Sequence, residues 1–217
     1  SPGNPTGQLF TREVLEGLAT LAEKHNLIVI SDEVYDSIVY DGRKAICFAS
    51  LPGMKDRTIT VNSFSKAYAM TGWRLGYAIG HPALIQGMNK IHQVIVACAP
   101  TMLQAGAISA LRGDQSFIPE MVSEYQYRRD MITDILNRVP GFRCIKPEGA
   151  FYAFPDIRGT GMSSFDLCEF LLKEAKVGCV PGDVFGVRGE GHVRICYAVS
   201  RESIEEAGNR MIKALSR

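Results

Sequence analysis

The stretch Asn62-Ser63-Phe64-Ser65-Lys66-Ala67-Tyr68-Ala69-Met70-Thr71-Gly72-Trp73-Arg74-Leu75-Gly76 sets one lysine among small and hydroxylated residues. It follows directly on an apolar run, Thr58-Ile59-Thr60-Val61. Such a run reads as a strand buried on both faces of a parallel sheet, so Lys66 falls just past a strand end. A lysine there is ordinarily a surface cation. Here Ser63, Ser65 and Arg74 stand beside it with hydroxyl and guanidinium donors suited to a phosphate. An amine next to a phosphorylated ligand is a useful nucleophile.

On the N-terminal side, Leu27-Ile28-Val29-Ile30 is a second continuous apolar run, ending at Ser31-Asp32-Glu33. The end of a buried parallel strand is where α/β sheets bind ligands, which makes Asp32 a candidate, although a cap or turn would also use an Asp. Tyr35 adds a phenol three residues on. Before that strand, Thr11 caps a helical pattern carrying Val14, Leu15, Leu18, Leu21 and Ala22. The opening Asn4-Pro5-Thr6-Gly7 has the composition of a turn.

On the C-terminal side, Leu75–Gly80 reads as a third strand, and helices are expected near 82–96 and 100–112. A long amphipathic stretch covers about 119–139. Arg128-Arg129 within it reads as a solvated helix face. Beyond Pro140-Gly141, residues 142–145 and 150–154 look like paired strands around Pro147-Glu148-Gly149. Ser163 is placed to cap a helix over 164–176, and Ser203 with Glu206 to start the last one. Val177–Val180 and His192–Ala198 read as strands. In the latter, Arg194 lies in apolar company, so its charge needs a partner: an internal carboxylate, or a substrate carboxylate gripped bidentately. Strands alternating with helices give an α/β layer first, and the last third reads as a smaller α+β unit.

The 217 residues are 46% hydrophobic and 22% charged, with a net charge of +1. That balance argues against a nucleic-acid or anionic-membrane surface held by bulk electrostatics. No apolar run is long enough for a membrane span. The six cysteines and four histidines show no metal-ligand spacing, so no metal site is expected. Small buried thiols in a reducing cytoplasm are the expected state. The chain opens without Met on loop-like residues, and the start of the protein is expected to be missing.

Taken together, these segments resemble the class I/II aminotransferases of the fold-type I pyridoxal-phosphate (PLP) enzymes, aspartate and aromatic aminotransferases in texture. Ser63-x-Ser65-Lys66, with Gly72-x-Arg74-Leu75-Gly76, is similar to that family's lysine motif. Asn4-Pro5-Thr6-Gly7, Asp32-x-x-Tyr35, Pro147-x-Gly149-Ala150-Phe151-Tyr152 and Arg194-Ile195 match its other landmarks in order. The resemblance covers essentially the whole chain. It implies a PLP-dependent transferase fold: the later part of a mostly parallel large domain over 1–118, a connecting helix over 119–139, and a small α+β domain over 140–217.

The resemblance also implies roles. Lys66 holds pyridoxal 5′-phosphate covalently and then moves protons. Asp32, expected as a buried carboxylate, pairs with the pyridine nitrogen. Tyr35 and Asn4 hydrogen-bond the ring's 3-oxygen. Ser63 and Arg74 bind the phosphate, with Ser65 beside them, and Arg194 grips the substrate's α-carboxylate. The implied reaction transfers an amino group between an L-amino acid and a 2-oxo acid, in a homodimer. Family members place a phosphate loop, a ring-stacking aromatic and the first strands of the sheet in the preceding half, so this piece alone is expected to be inactive. The alternatives are a C–S β-lyase or an aminocyclopropane-carboxylate synthase of the same fold, and a non-catalytic interaction fragment.

Overall fold

A computed structural model describes residues 1–216. These form two compact units, one of Ser1–Pro2 with Leu9–Glu120, the other of Gly3–Gln8 with Met121–Arg217. Residues 3–8, expected with the first domain, therefore group with the second unit.

In the first unit, α1 (Arg12–Lys24) starts at Thr11, whose hydroxyl accepts from the Val14 amide. That bond satisfies one of the amides a helix start leaves open. Leu15, Ala19 and Ala22 on α1 form a core with Phe48, Leu51 and Met54, and Val29 packs against it. The sheet has the order β1 (Val29–Asp32), β2 (Thr58–Ser63), β3 (Gly76–Ile79). β1 runs parallel to β2, with Asp32 opposite Val61. β3 runs antiparallel, with Ser63 opposite Gly76. The third strand thus departs from the mostly parallel expectation. Residues 64–75 join the two strands through the one-turn helix Phe64–Ala67 and a 3₁₀ turn, with no long helix of the kind that usually carries a parallel crossover.

Burial on both faces holds for the central strand, where Thr58, Ile59 and Thr60 are buried. It fails on the flanking strands. Ile30 is 72% exposed and Ile79 63%; on β1 the core built by α1 packs against Val29, and Ile30, the next residue, faces the other way. Two further helices follow, α3 (Pro82–Val96) and α4 (Thr101–Arg112), after the short α2 (Phe64–Ala67). Phe64, Leu75 and Ala107 make the second core of this unit.

In the second unit the long helix α5 (Phe117–Leu136), whose first turn still belongs to the first unit, leads to a sheet of order β4 (Tyr152–Ala153), β6 (Val193–Cys196), β5 (Val180–Pro181), all antiparallel. α6 (Ser164–Phe170) continues as a π turn through Ala175. α7 (Arg201–Leu215) packs so closely on α5 that a Cβ at Gly208 would lie 2.2 Å from Ile135 Cγ2. The expected hairpin over 142–154 reduces to a single antiparallel bridge, Arg143 with Asp156, while β4 pairs with β6. The last helix begins earlier than expected: Ser200, not Ser203, is its cap, accepting from the Ser203 amide.

Two other expectations are corrected. Arg129 is not on a solvated face. It is 1% exposed, bonded to Asp130 and to the Pro147 carbonyl. A buried guanidinium persists only with such partners. Of the cysteines only Cys144 is buried; Cys47, Cys98 and Cys196 are exposed, since apolar neighbours in sequence do not bury a side chain that no packed element covers. No described helix is long and apolar enough to cross a membrane.

Candidate active site

Because β1 and β2 are parallel, their carboxyl ends share one edge of the first sheet. Asp32 closes β1 there, and the Glu33 amide donates to the Val61 carbonyl, tying the two exits together. Asp32 is exposed rather than buried, and its Oδ1 accepts from the Val34 amide. The bond turns the chain and sends Tyr35 into a buried position.

β2 ends at Ser63, which caps α2 by accepting from the Ser65 amide at 3.0 Å. The Ser63 hydroxyl also lies 2.9 Å from that of Ser65 and 3.2 Å from the Leu75 carbonyl. Lys66, in the same turn, is half-buried, with Nζ 5.7 Å from the centre of the Tyr35 ring. A cation over a phenol face is attracted by the ring's negative quadrupole. Arg74 is exposed, in the left-handed region at φ 51°, with Nη1 donating to the Thr71 carbonyl. The first unit therefore gathers Tyr35 and Lys66, aligns Ser63 with Ser65, and leaves Arg74 and Asp32 open to solvent. Sequence reading missed Asp36, whose Oδ2 accepts from the Asn62 side chain at 2.9 Å. Its place four residues after Asp32 was the available signal.

The second unit carries the other two candidates. Gly7 adopts φ 67°, and its carbonyl accepts from the amides of Glu148 and Gly149, both at 2.9 Å. A Cβ on Gly7 would lie 2.7 Å from Pro147 Cβ, so only glycine lets the two turns meet. That contact brings Asn4 to β6. Arg194 Nη1 donates to Asn4 Oδ1 at 2.9 Å. The guanidinium lies close to two rings, 4.5 Å from the centre of Tyr152 and 5.0 Å from that of Phe185. Its Nε is buried without a partner among the described residues. No carboxylate answers Arg194 in the described structure, so the internal salt bridge that the sequence left open is not formed. Phe185 closes a short 3₁₀ turn, Gly182–Phe185, too brief to show any periodicity in the sequence.

Residues 1–211 match the profile of the family "Aminotransferase class I and II". The chain belongs to the class I and II aminotransferase family. It is 46% identical over 217 residues to the aromatic-amino-acid aminotransferase 2 of Thermococcus litoralis, covering 99% of this chain and 56% of that protein. It is 48% identical to the aspartate aminotransferase of Pyrococcus abyssi, again over 99% and 56%. The crystal structure of an aromatic aminotransferase from Pyrococcus horikoshii superposes with a TM-score of 0.96 at 47% identity, covering 100% of this chain and 58% of that one. The chain thus spans a little over half the length of the relatives it matches.

Class I and II aminotransferases use pyridoxal 5′-phosphate, and the donor chemistry of the first unit fits that group. The Ser63 and Ser65 hydroxyls and the Arg74 guanidinium suit a phosphate. The Lys66 amine suits an aldehyde, and the exposed Asp32 carboxylate suits a protonated ring nitrogen.

Proposed function

We propose that the complete protein transfers an amino group between an L-amino acid of the aspartate or aromatic type and a 2-oxo acid, using pyridoxal 5′-phosphate. The observation that carries this reading is the Lys66 amine facing Tyr35 at the sheet edge where Asp32 ends β1.

Ser63, Ser65 and Arg74 hold the phosphate, Asp32 the ring nitrogen, and Tyr35 the 3-oxygen, for which the Asn4 amide is a further donor. When bound, the cofactor supplies an electron sink that weakens the substrate's Cα–H bond. The chain's own residues do the rest. Lys66 Nζ takes the α proton as general base and returns it as general acid, a role that contributes about 100- to 10,000-fold elsewhere. The Asp32 carboxylate balances a positive charge on the ring nitrogen and so keeps its proton in place. Arg194 binds the substrate α-carboxylate. The nearby rings of Tyr152 and Phe185 attract the cation, and its N–H edge makes a bidentate contact with the carboxylate.

The likeness to aspartate and aromatic-amino-acid aminotransferases supports the substrate class. A cytoplasmic homodimer goes with the same reading. The test is an amino-acid screen on the full-length enzyme with 2-oxoglutarate as acceptor. Formation of glutamate with aspartate or an aromatic amino acid is expected. Release of ammonia and a 2-oxo acid without any acceptor would instead assign a lyase.

A further inference from the structure

Cys168 on α6 and Cys179, one residue before β5, lie with their sulfurs 3.2 Å apart, the Cys179 S–H donating to Cys168. They stand eleven positions apart and neither belongs to the residues discussed above. Both are partly buried, and both line a surface cleft with Phe165, Leu172, Gly178 and Pro181. A small oxidant can therefore reach them. A disulfide requires a sulfur separation of about 2.05 Å, so the pair must close by only about 1 Å, within the reach of two side-chain torsions.

The two thiols are not equivalent. The S–H bond from Cys179 holds Cys168 below the usual thiol range, against the opposing effects of burial and of Asp183. The same bond, burial and the neighbouring Cys168 push Cys179 far above it. A thiolate is the reactive form, so Cys168 is the sulfur that attacks and Cys179 the one that resolves.

We propose that Cys168 and Cys179 form a reversible dithiol–disulfide site, oxidised by a hydroperoxide. The Cys168 thiolate attacks one oxygen of hydrogen peroxide. An S–O bond forms, the O–O bond breaks, and the departing hydroxide takes up a proton as water. Cys168 is left as a sulfenic acid, oxidised by two electrons while the peroxide is reduced. The Cys179 sulfur then attacks that sulfur, forming S–S and breaking S–O. The departing hydroxide carries away the Cys179 proton as a second water. Two thiols and one peroxide give one disulfide and two waters, and an external dithiol reverses the bond by exchange. Val180, next to Cys179, pairs with Arg194 in the β5–β6 ladder. The cross-link therefore fastens α6 to the strand beside that arginine.

The full-length protein, reduced and then freed of reductant, is treated with hydrogen peroxide in its native state, and remaining thiols are blocked with N-ethylmaleimide. Trypsin cuts at Lys173 and Lys176, between the two cysteines, and the peptides are weighed without reduction. The expected result is a pair of peptides joined through Cys168 and Cys179, lost on adding dithiothreitol. In Cys179→Ser, Cys168 is expected to be trapped as a sulfenic acid that dimedone labels. The wild-type result alone decides the matter if that variant fails to fold. Retention of N-ethylmaleimide on both residues while exposed Cys196 oxidises would overturn the site. So would sulfinic acid at Cys168 with no joined peptide.

Discussion

Arg194 donates through Nη1 to Oδ1 of Asn4, 2.9 Å away across 190 positions of sequence. The bond fixes the Asn4 side chain, leaving its amide hydrogens free to donate elsewhere. It also restrains an arginine that already lies against the rings of Tyr152 and Phe185.

Replacing Arg194 with Lys keeps the charge but loses the planar fork. With an aspartate or aromatic substrate, kcat/KM of the full-length enzyme is expected to fall about 10- to 100-fold, corresponding to one or two charge-assisted bonds. Asn4→Ala should cost less, about 10-fold or under, because water can replace one acceptor on a half-exposed arginine. Steady-state kinetics on both variants measure the difference. An Arg194→Lys variant with an unchanged kcat/KM would show that Arg194 does not grip the substrate carboxylate.

Lys66→Ala removes the amine that faces Tyr35. Multiple turnover is expected to drop at least about 100-fold. Borohydride reduction of the wild-type protein with pyridoxal 5′-phosphate should tag the peptide containing position 66. A tag on another lysine would move the site.

Gly7→Ala forces a methyl group to 2.7 Å from Pro147 Cβ at a backbone angle of φ 67°. The left-handed region costs a non-glycine residue about 1–2 kcal/mol, and the clash adds to that. A loss of about 2–4 kcal/mol is expected in urea unfolding of the full-length protein. Gly17→Ala, where nothing lies within 4 Å on a helix face, should instead stabilise by about 0.5–1 kcal/mol.

Removing Arg129 strands the Pro147 carbonyl in the interior and opens a cavity. Arg129→Ala is expected to destabilise by about 2–4 kcal/mol. Lys146→Ala, on the exposed partner of the same Asp130, should cost about 0–1 kcal/mol. Chemical denaturation separates the two.

Glu124 meets Arg201 and Arg128, which hold its carboxyl down from the ordinary 4.5 to about 2. A depressed pKa means the folded form resists protonation. The stability it contributes is complete above about pH 4.5 and is lost as pH falls towards 2. Glu124→Gln should flatten the acid limb of the stability curve in that window and leave the neutral range little changed. Thermal melts between pH 2 and 7 read this, with high salt expected to shrink the effect because the pair is solvent-exposed.

Most of the local structure was legible in the sequence. α1 starts at Thr11, Ser163 caps α6, and α3 and α4 fall where apolar spacing puts them, because caps and periodicity act between residues a few positions apart. Ser200 caps α7, while the Ser203/Glu206 spacing offers the same signature three residues later. The hairpin expected at 142–154 does not form because strand pairing is a long-range choice, and β4 pairs with β6 instead.

The chemistry of the candidate residues belongs to the sequence by itself: an amine between serines, an acid at the end of an apolar run, an arginine in a strand. Tertiary structure alone decided which of them meet and how wet they are. Lys66 finds Tyr35, Arg194 finds Asn4, Arg129 is buried while Asp32 is not, and two thiols eleven residues apart come into contact. Burial and long-range contact depend on which surfaces the packed elements cover, and side-chain identity along the chain does not carry that information.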